Sequence, residues 1–155
     1  MKVMLMKSAI AMLAGGLIFV GIASAHSAST GNAEADFRIV EMKKLGMNMG
    51  AIAKVVKGEA SYGPSLNDNA KGIAEIAANM AKLFPEGSGV EEARSKPEIW
   101  VDKDAFQKDI ENFQAASTQL VVAVQSGDQA MMGAALKQTG GTCGACHKQF
   151  RKPKH

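Results

Sequence analysis

The chain has 155 residues, which sets an expectation of one domain. Hydrophobic residues make up 46% and charged residues 21%, ordinary values for a folded globular protein. Eighteen Lys and Arg against fifteen Asp and Glu give a net charge of +3, which excludes the strongly basic composition of a nucleic-acid binder.

Residues 1–25 read as a secretory signal peptide. Lys2 and Lys7 supply a positive start, Ser8 to Ile22 is almost wholly apolar, and Ala23-Ser24-Ala25 is a small-residue cleavage site. The apolar run is shorter than the ~20 residues a membrane span needs. Cleavage would leave a chain starting near His26, with 16 basic and 15 acidic residues. No second long apolar run exists, so the exported chain is expected to be soluble and periplasmic, with no membrane contact. Residues 26–34 are rich in Ser, Ala, Gly and Asn and read as a flexible leader, and 35–155 as one folded domain.

Four helical segments follow, each with a stripe at steps of three and four. The first runs Arg38, Met42, Leu45, Met49, Ile52, Val56. The second is Leu66, Ala70, Ile73, Ala77, Met80, Phe84. The third is Phe106, Ile110, Phe113, Ser117, Leu120, Val124. The fourth is Met132, Leu136, Thr139, Cys143, Cys146, Phe150. Gly58 to Gly63 separates the first pair, and Pro64 suits a first helical position. Pro85 stops the second helix. Glu86 to Pro97 is the long loop. Gly127 can end the third helix and Asp128 can cap the fourth. Two short connections and one longer one predict an all-α, antiparallel, up-down-up-down four-helix bundle.

Cys143-Gly144-Ala145-Cys146-His147 is a C-x-x-C-H run, the attachment signature of c-type haem. Two thiols must reach the two vinyl groups of one porphyrin and form thioethers, and the next residue must present an imidazole to the iron. On a helix, Cys143 and His147 are four apart and share a side. A thioredoxin-like site would want a βαβ setting, and a structural zinc site would want a fourth ligand. A plain disulfide leaves His147 without a role. An exported chain also fits haem attachment, which takes place outside the cytoplasm.

The motif sits nine residues from the C-terminus, on the last helix. With Arg38, Val55-Val56-Lys57-Gly58, Lys96-Pro97-Glu98-Ile99-Trp100, Phe106 and the run from Gly141 to Arg151, the chain resembles the class II cytochromes c, which include cytochrome c′. The resemblance covers nearly the whole exported chain. It implies one haem c between the helices near one end of the bundle, with His147 as an axial ligand. His26 and His155 lie at the chain ends, which disfavours a second histidine ligand. The stretch from Arg38 to Gly50 resembles the low-spin, methionine-ligated branch. Met42, one turn after Arg38, aligns with the position facing the open side of the haem and is the expected sixth ligand. Met47 and Met49 are expected farther along, as packing residues. At the matching family position, Arg38 would pair with a haem propionate.

The function expected on this basis is single-electron transfer between redox partner proteins, with no substrate bond made or broken. The alternative is a five-coordinate haem that binds nitric oxide or carbon monoxide as sensor or scavenger. A peroxidase-like enzyme would lack its distal His. Class II relatives are often dimers through their first two helices, so a homodimer is a further expectation from the resemblance. Arg151, Lys152 and Lys154 read as a solvated basic tail rather than a docking patch. Phe150, Phe106 and Trp100 read as packing residues.

Overall fold

The computed structural model describes residues 29–153. The expected signal peptide, cleavage site, His26, Lys154 and His155 lie outside the described residues. The described chain is helical: α1 (Ala33–Val56), α2 (Ser65–Ala78), the short α3 (Glu98–Val101), α4 (Lys103–Ser126) and α5 (Gln129–Phe150). The four long helices form the expected bundle, with α1 against α2 and α5, and α4 against α2 and α5.

Local chemistry sets where each helix starts and stops. The Asn32 side chain accepts a bond from Ala35 N, with Glu34 and Asp36 in the first turn. Helix α1 thus begins at Ala33, two residues inside the expected leader. Ser29 Oγ and Thr30 N donate to the Asp36 carboxylate at 2.6 and 2.8 Å, holding its pKa below the ordinary value. Gly127 ends α4 at φ 70°, in the left-handed region. Asp128 then caps α5 through Met131 N at 2.9 Å. The second stripe was expected to run as one helix to Pro85, but α2 ends at Ala78. Asn79 turns its side chain back onto Glu75 O at 3.0 Å, and Met80–Leu83 continue as a 3-10 turn.

Ile52, Ile73, Leu120, Val124 and Met132 are fully buried on the facing stripes of the four long helices. One end of the bundle is tied shut. Gln129 Nε2 donates to Val56 O at 2.8 Å, and Tyr62 OH donates to Val124 O at 2.9 Å. A Cβ on Gly133 would lie 3.3 Å from Val56, so α1 and α5 approach closely there. At the opposite end meet the start of α1, the turn after α2, the start of α4 and the last turns of α5.

A long connection braces that second end. The Trp100 indole N–H donates to Phe84 O at 3.0 Å, and a Cβ on Gly89 would come within 2.7 Å of the Trp100 ring. Ser95 and Arg151 form an isolated antiparallel bridge. Lys96 N donates to Phe150 O at 2.9 Å and Lys152 N to Arg94 O at 2.8 Å. The connection is thereby sewn to the tail of α5. Lys152, expected as a solvated tail residue, pairs with Glu91 at 2.6 Å.

Leu120→Ala removes a side chain with no exposed area and should cost about 2–5 kcal/mol. Val122→Ala, on the exposed face of the same helix, should stay within about 0.5 kcal/mol of wild type. Denaturant melts of the two variants check the difference.

Candidate haem site

The braced end of the bundle holds a cavity of about 670 Å³. That lies inside the usual ~300–1,000 Å³ of small-molecule sites. Cys143, Cys146, His147, Arg38 and Met42 all line it, so the residues expected to hold the haem converge on one space. Helix α5 supplies the motif, α1 the opposing wall, and α4 the aromatic floor of Phe106 and Phe113. Phe106 makes edge contacts with Phe84 at 4.9 Å and Phe150 at 5.2 Å between ring centroids. The expectation that Phe106 and Phe150 are packing residues therefore agrees with their contacts.

The donor set suits haem attachment better than a protein-only metal centre. Among the described residues no three His, Cys, Asp or Glu side chains converge to hold a metal ion. Both cysteines are free and half-buried. Burial raises the Cys143 thiol above its ordinary pKa. Burial, then the nearby Asp109 and Cys143, push Cys146 up to about 11, with Arg151 opposing. The surroundings thus favour the neutral thiols over the thiolates. Burial, then Arg151 and Arg94, lower the His147 pKa, which favours the neutral imidazole that a metal needs.

Arg38 has an attachment the sequence did not reveal. It is only 3% exposed. Its guanidinium donates to Leu83 O at 2.9 Å, Ser88 Oγ at 2.8 Å and Ser88 O at 2.7 Å. It also stacks over Phe84, 4.7 Å from the ring centroid. One side chain of α1 thus fastens the 83–88 connection across the cavity mouth. These bonds end on uncharged oxygens, so the cation brings an unbalanced positive charge to the wall. Burial lowers its pKa accordingly. Such a wall fits a cofactor that carries carboxylates.

Two methionine assignments change. Met49, expected away from the site, lines the cavity beside Met42. Its place seven residues after Met42 puts both on one face of α1. Met47 is 73% exposed, so the packing role expected of it is withdrawn. Met80, from the turn after α2, also lines the cavity. Asp109 was not anticipated either. It lines the cavity from α4, and its Oδ2 is buried without a hydrogen-bond partner.

A four-helix bundle that brings a C-x-x-C-H helix to an apolar cavity at one end defines a four-helix c-type cytochrome. A family model described as cytochrome c′ matches residues 33–151. The chain is 38% identical to cytochrome c′ of Rhodospirillum rubrum over 104 residues, 66% of this chain and 71% of that one. It is 34% identical to cytochrome c′ of Pararhodospirillum photometricum, covering 76% and 94%. It is also 34% identical to cytochrome c-556 of Agrobacterium tumefaciens, covering 75% and 92%. Two crystal structures of cytochrome c′ variants from Alcaligenes xylosoxidans superpose with TM-scores of 0.72 at 27% identity. One is ferrous with nitric oxide bound and covers 78% of this chain and 94% of its own. The other has carbon monoxide bound and covers 77% and 94%. The chain belongs to the cytochrome c′ family, whose cofactor is one covalent haem c.

Arg38→Ala would orphan three buried acceptors and should cost about 1–3 kcal/mol. Arg38→Lys should recover only part, because a single ammonium cannot reproduce the fork that spans Leu83 and Ser88. Chemical denaturation of the haem-loaded variants checks both.

Proposed function

We propose that this chain is an exported, periplasmic haem c protein that binds nitric oxide or carbon monoxide at an open sixth position of its ferrous iron. The observation that carries the reading is the α1 wall of the cavity. Opposite the motif helix it presents Met42, Leu45 and Met49, with no histidine among them. Relatives of this fold hold nitric oxide and carbon monoxide, which supports the same use here. When bound, haem c supplies an iron that cycles between Fe(III) and Fe(II) and, with one position free, coordinates a diatomic gas.

The residues divide the work. Cys143 and Cys146 would hold the ring by thioethers, and His147 would offer the iron a neutral imidazole from α5. Arg38 offers its guanidinium to a propionate while keeping the 83–88 connection in place. Met42, Leu45 and Met49 offer no hydrogen-bond donor to a strongly hydrated ligand, which would lose its hydration there without replacement. An uncharged diatomic loses little by entering. The chain makes and breaks no substrate bond in this reading, so it is a binder rather than an enzyme.

A second reading is the low-spin electron carrier, passing single electrons between redox partner proteins. It is favoured by one observation: Met42 lies on the wall facing the His147 helix, so its thioether is a candidate sixth ligand. A soft, neutral sulfur would favour Fe(II) and shut out gases. Absorption spectra of the reduced protein with and without carbon monoxide separate the two. The gas-binding reading expects a high-spin spectrum that shifts on adding the gas, and a Met42→Ala variant that still binds it. Wild type that resists the gas, with Met42→Ala becoming reactive, would establish the electron carrier instead.

Export, attachment and pairing can be read together. Among the described residues no helix is long and apolar enough to cross a membrane. Phe37, Val40 and Met47 are exposed on one face of α1, which supports pairing with a second copy. Native mass spectrometry of exported protein should show a chain beginning near His26, heavier by one haem that survives acid-acetone extraction, and twice that mass for the pair. Haem lost on extraction, or a retained residue 1–25 segment, would contradict attachment or cleavage respectively.

A further inference from the structure

Asp109 is a cavity residue for which neither reading has a use. Its position follows from the helix register. Thr139 Oγ1 of α5 donates to Ala116 O of α4 at 3.3 Å. Seven residues back along α4 lies Asp109, and seven forward along the antiparallel α5 lies Cys146. Two turns carry each residue to the same helix face, so the carboxyl stands opposite the second thioether position. The influence of Asp109 on the Cys146 thiol agrees with that placement. Its Oδ2 is shielded from solvent and accepts no hydrogen bond. A carboxylate oxygen in that condition has lost water without gaining a donor, and burial raises the Asp109 pKa above its ordinary value.

The charged and titratable groups around it are few. From α5 it faces Cys146, flanked by Cys143 and, past the helix end, Arg151. Arg38 and Lys43 of α1, Glu92 and Arg94 of the long connection, and His147 complete the charged lining of the cavity. Helix α2 lies on another side of α4, where Gln114 Nε2 reaches Ala77 O at 3.1 Å. Once both cysteines are thioethers they no longer titrate. Asp109 is then the acid that α4 itself contributes to the cavity wall.

We propose that Asp109 is a redox-linked proton site, ionised while the iron is ferric and protonated when the iron is reduced. An external one-electron reductant supplies the electron, and Fe(III) becomes Fe(II). The added negative charge disfavours a neighbouring carboxylate whose Oδ2 has no hydrogen-bond donor to stabilise it. A proton from solvent then forms an O–H bond on the Asp109 carboxyl, at most one proton per electron. Oxidation returns both. By linkage, the reduction potential depends on pH wherever the ferrous form holds more protons than the ferric form. Burial raises the Asp109 carboxyl, which shifts that window upward from where a solvated aspartate would place it. The proposal needs the covalent haem but not a gas, so losing the gas-binding reading would leave it standing.

The experiment is a potentiometric titration of the haem-loaded protein from acid to neutral pH, with no gas present, for wild type, Asp109→Asn and Asp109→Glu. Wild type should show a segment in which the potential falls as pH rises, then a plateau. Asp109→Asn should lose that segment and hold a higher plateau, and Asp109→Glu should keep the segment at a displaced pH. The reduced-minus-oxidised infrared difference spectrum should contain a protonated-carboxyl band in wild type that Asp109→Asn lacks. A flat wild-type profile, or the same slope and the same band in Asp109→Asn, would overturn the assignment. Should Asp109→Asn fail to load haem, the displaced segment in Asp109→Glu and the wild-type band decide the matter. An undisplaced segment or an absent band is then the contrary result.

Discussion

The open end of the bundle depends on the spacing of Cys143, Cys146 and His147 along α5. A helix fixes these side chains within four residues of one another, so one rigid element would offer a single ring both thioether sulfurs and an imidazole nitrogen. The remaining helices must leave room for that ring. They do so by staying tied at the far end, where Gln129 closes on Val56 and Gly133 lets α5 approach α1, and parting where α5 finishes. The lean aromatic content of the chain follows from the same division. Four phenylalanines line the cavity, where Phe84 and Phe150 meet Phe106 edge to face.

The electrostatics of that end are built from few groups. Arg38, Arg94 and Arg151 bring positive charge, and Asp109 and Glu92 bring negative charge, into a space otherwise walled by methionine, leucine, isoleucine and phenylalanine. Arg38 also serves as a structural clasp, since it holds Leu83 and Ser88 by backbone and hydroxyl oxygens. Arg94 is fastened differently. Its backbone sits at φ 59°, a left-handed conformation uncommon for a residue with a side chain, and its guanidinium donates to Lys152 O at 2.7 Å. The two arginines thus secure the long connection at both its ends, one to α1 and one to the tail of α5. Any change in either should be felt in the shape of the cavity as well as in its charge.

Much of this was legible in the sequence because it is local. The stripe from Phe106 to Val124 is buried at every position, that of α1 only at Arg38, Leu45 and Ile52, and the Gly127-Asp128 junction carries its capping bond at 2.9 Å. The C-x-x-C-H run identified both the cofactor and the helix that carries it. What escaped depends on contacts between distant segments. Nothing near Arg38 signals that its partners lie 45 to 50 residues away. Met49 was misplaced because distance along α1 was read as distance from the haem, whereas the cavity extends two turns along that face. Asp109 carries no motif or spacing that marks it in the sequence. Its isolation appears only when α4 is laid against α5.

The central claim is that the iron has an open position on the α1 side, with Met42 and Met49 as walls. X-ray absorption spectroscopy at the iron edge of the reduced, gas-free protein tests this most directly. The account predicts a shell of five nitrogen neighbours, four from the ring and one from His147, with no sulfur. A sixth neighbour fitted as sulfur, and lost in Met42→Ala, would contradict it.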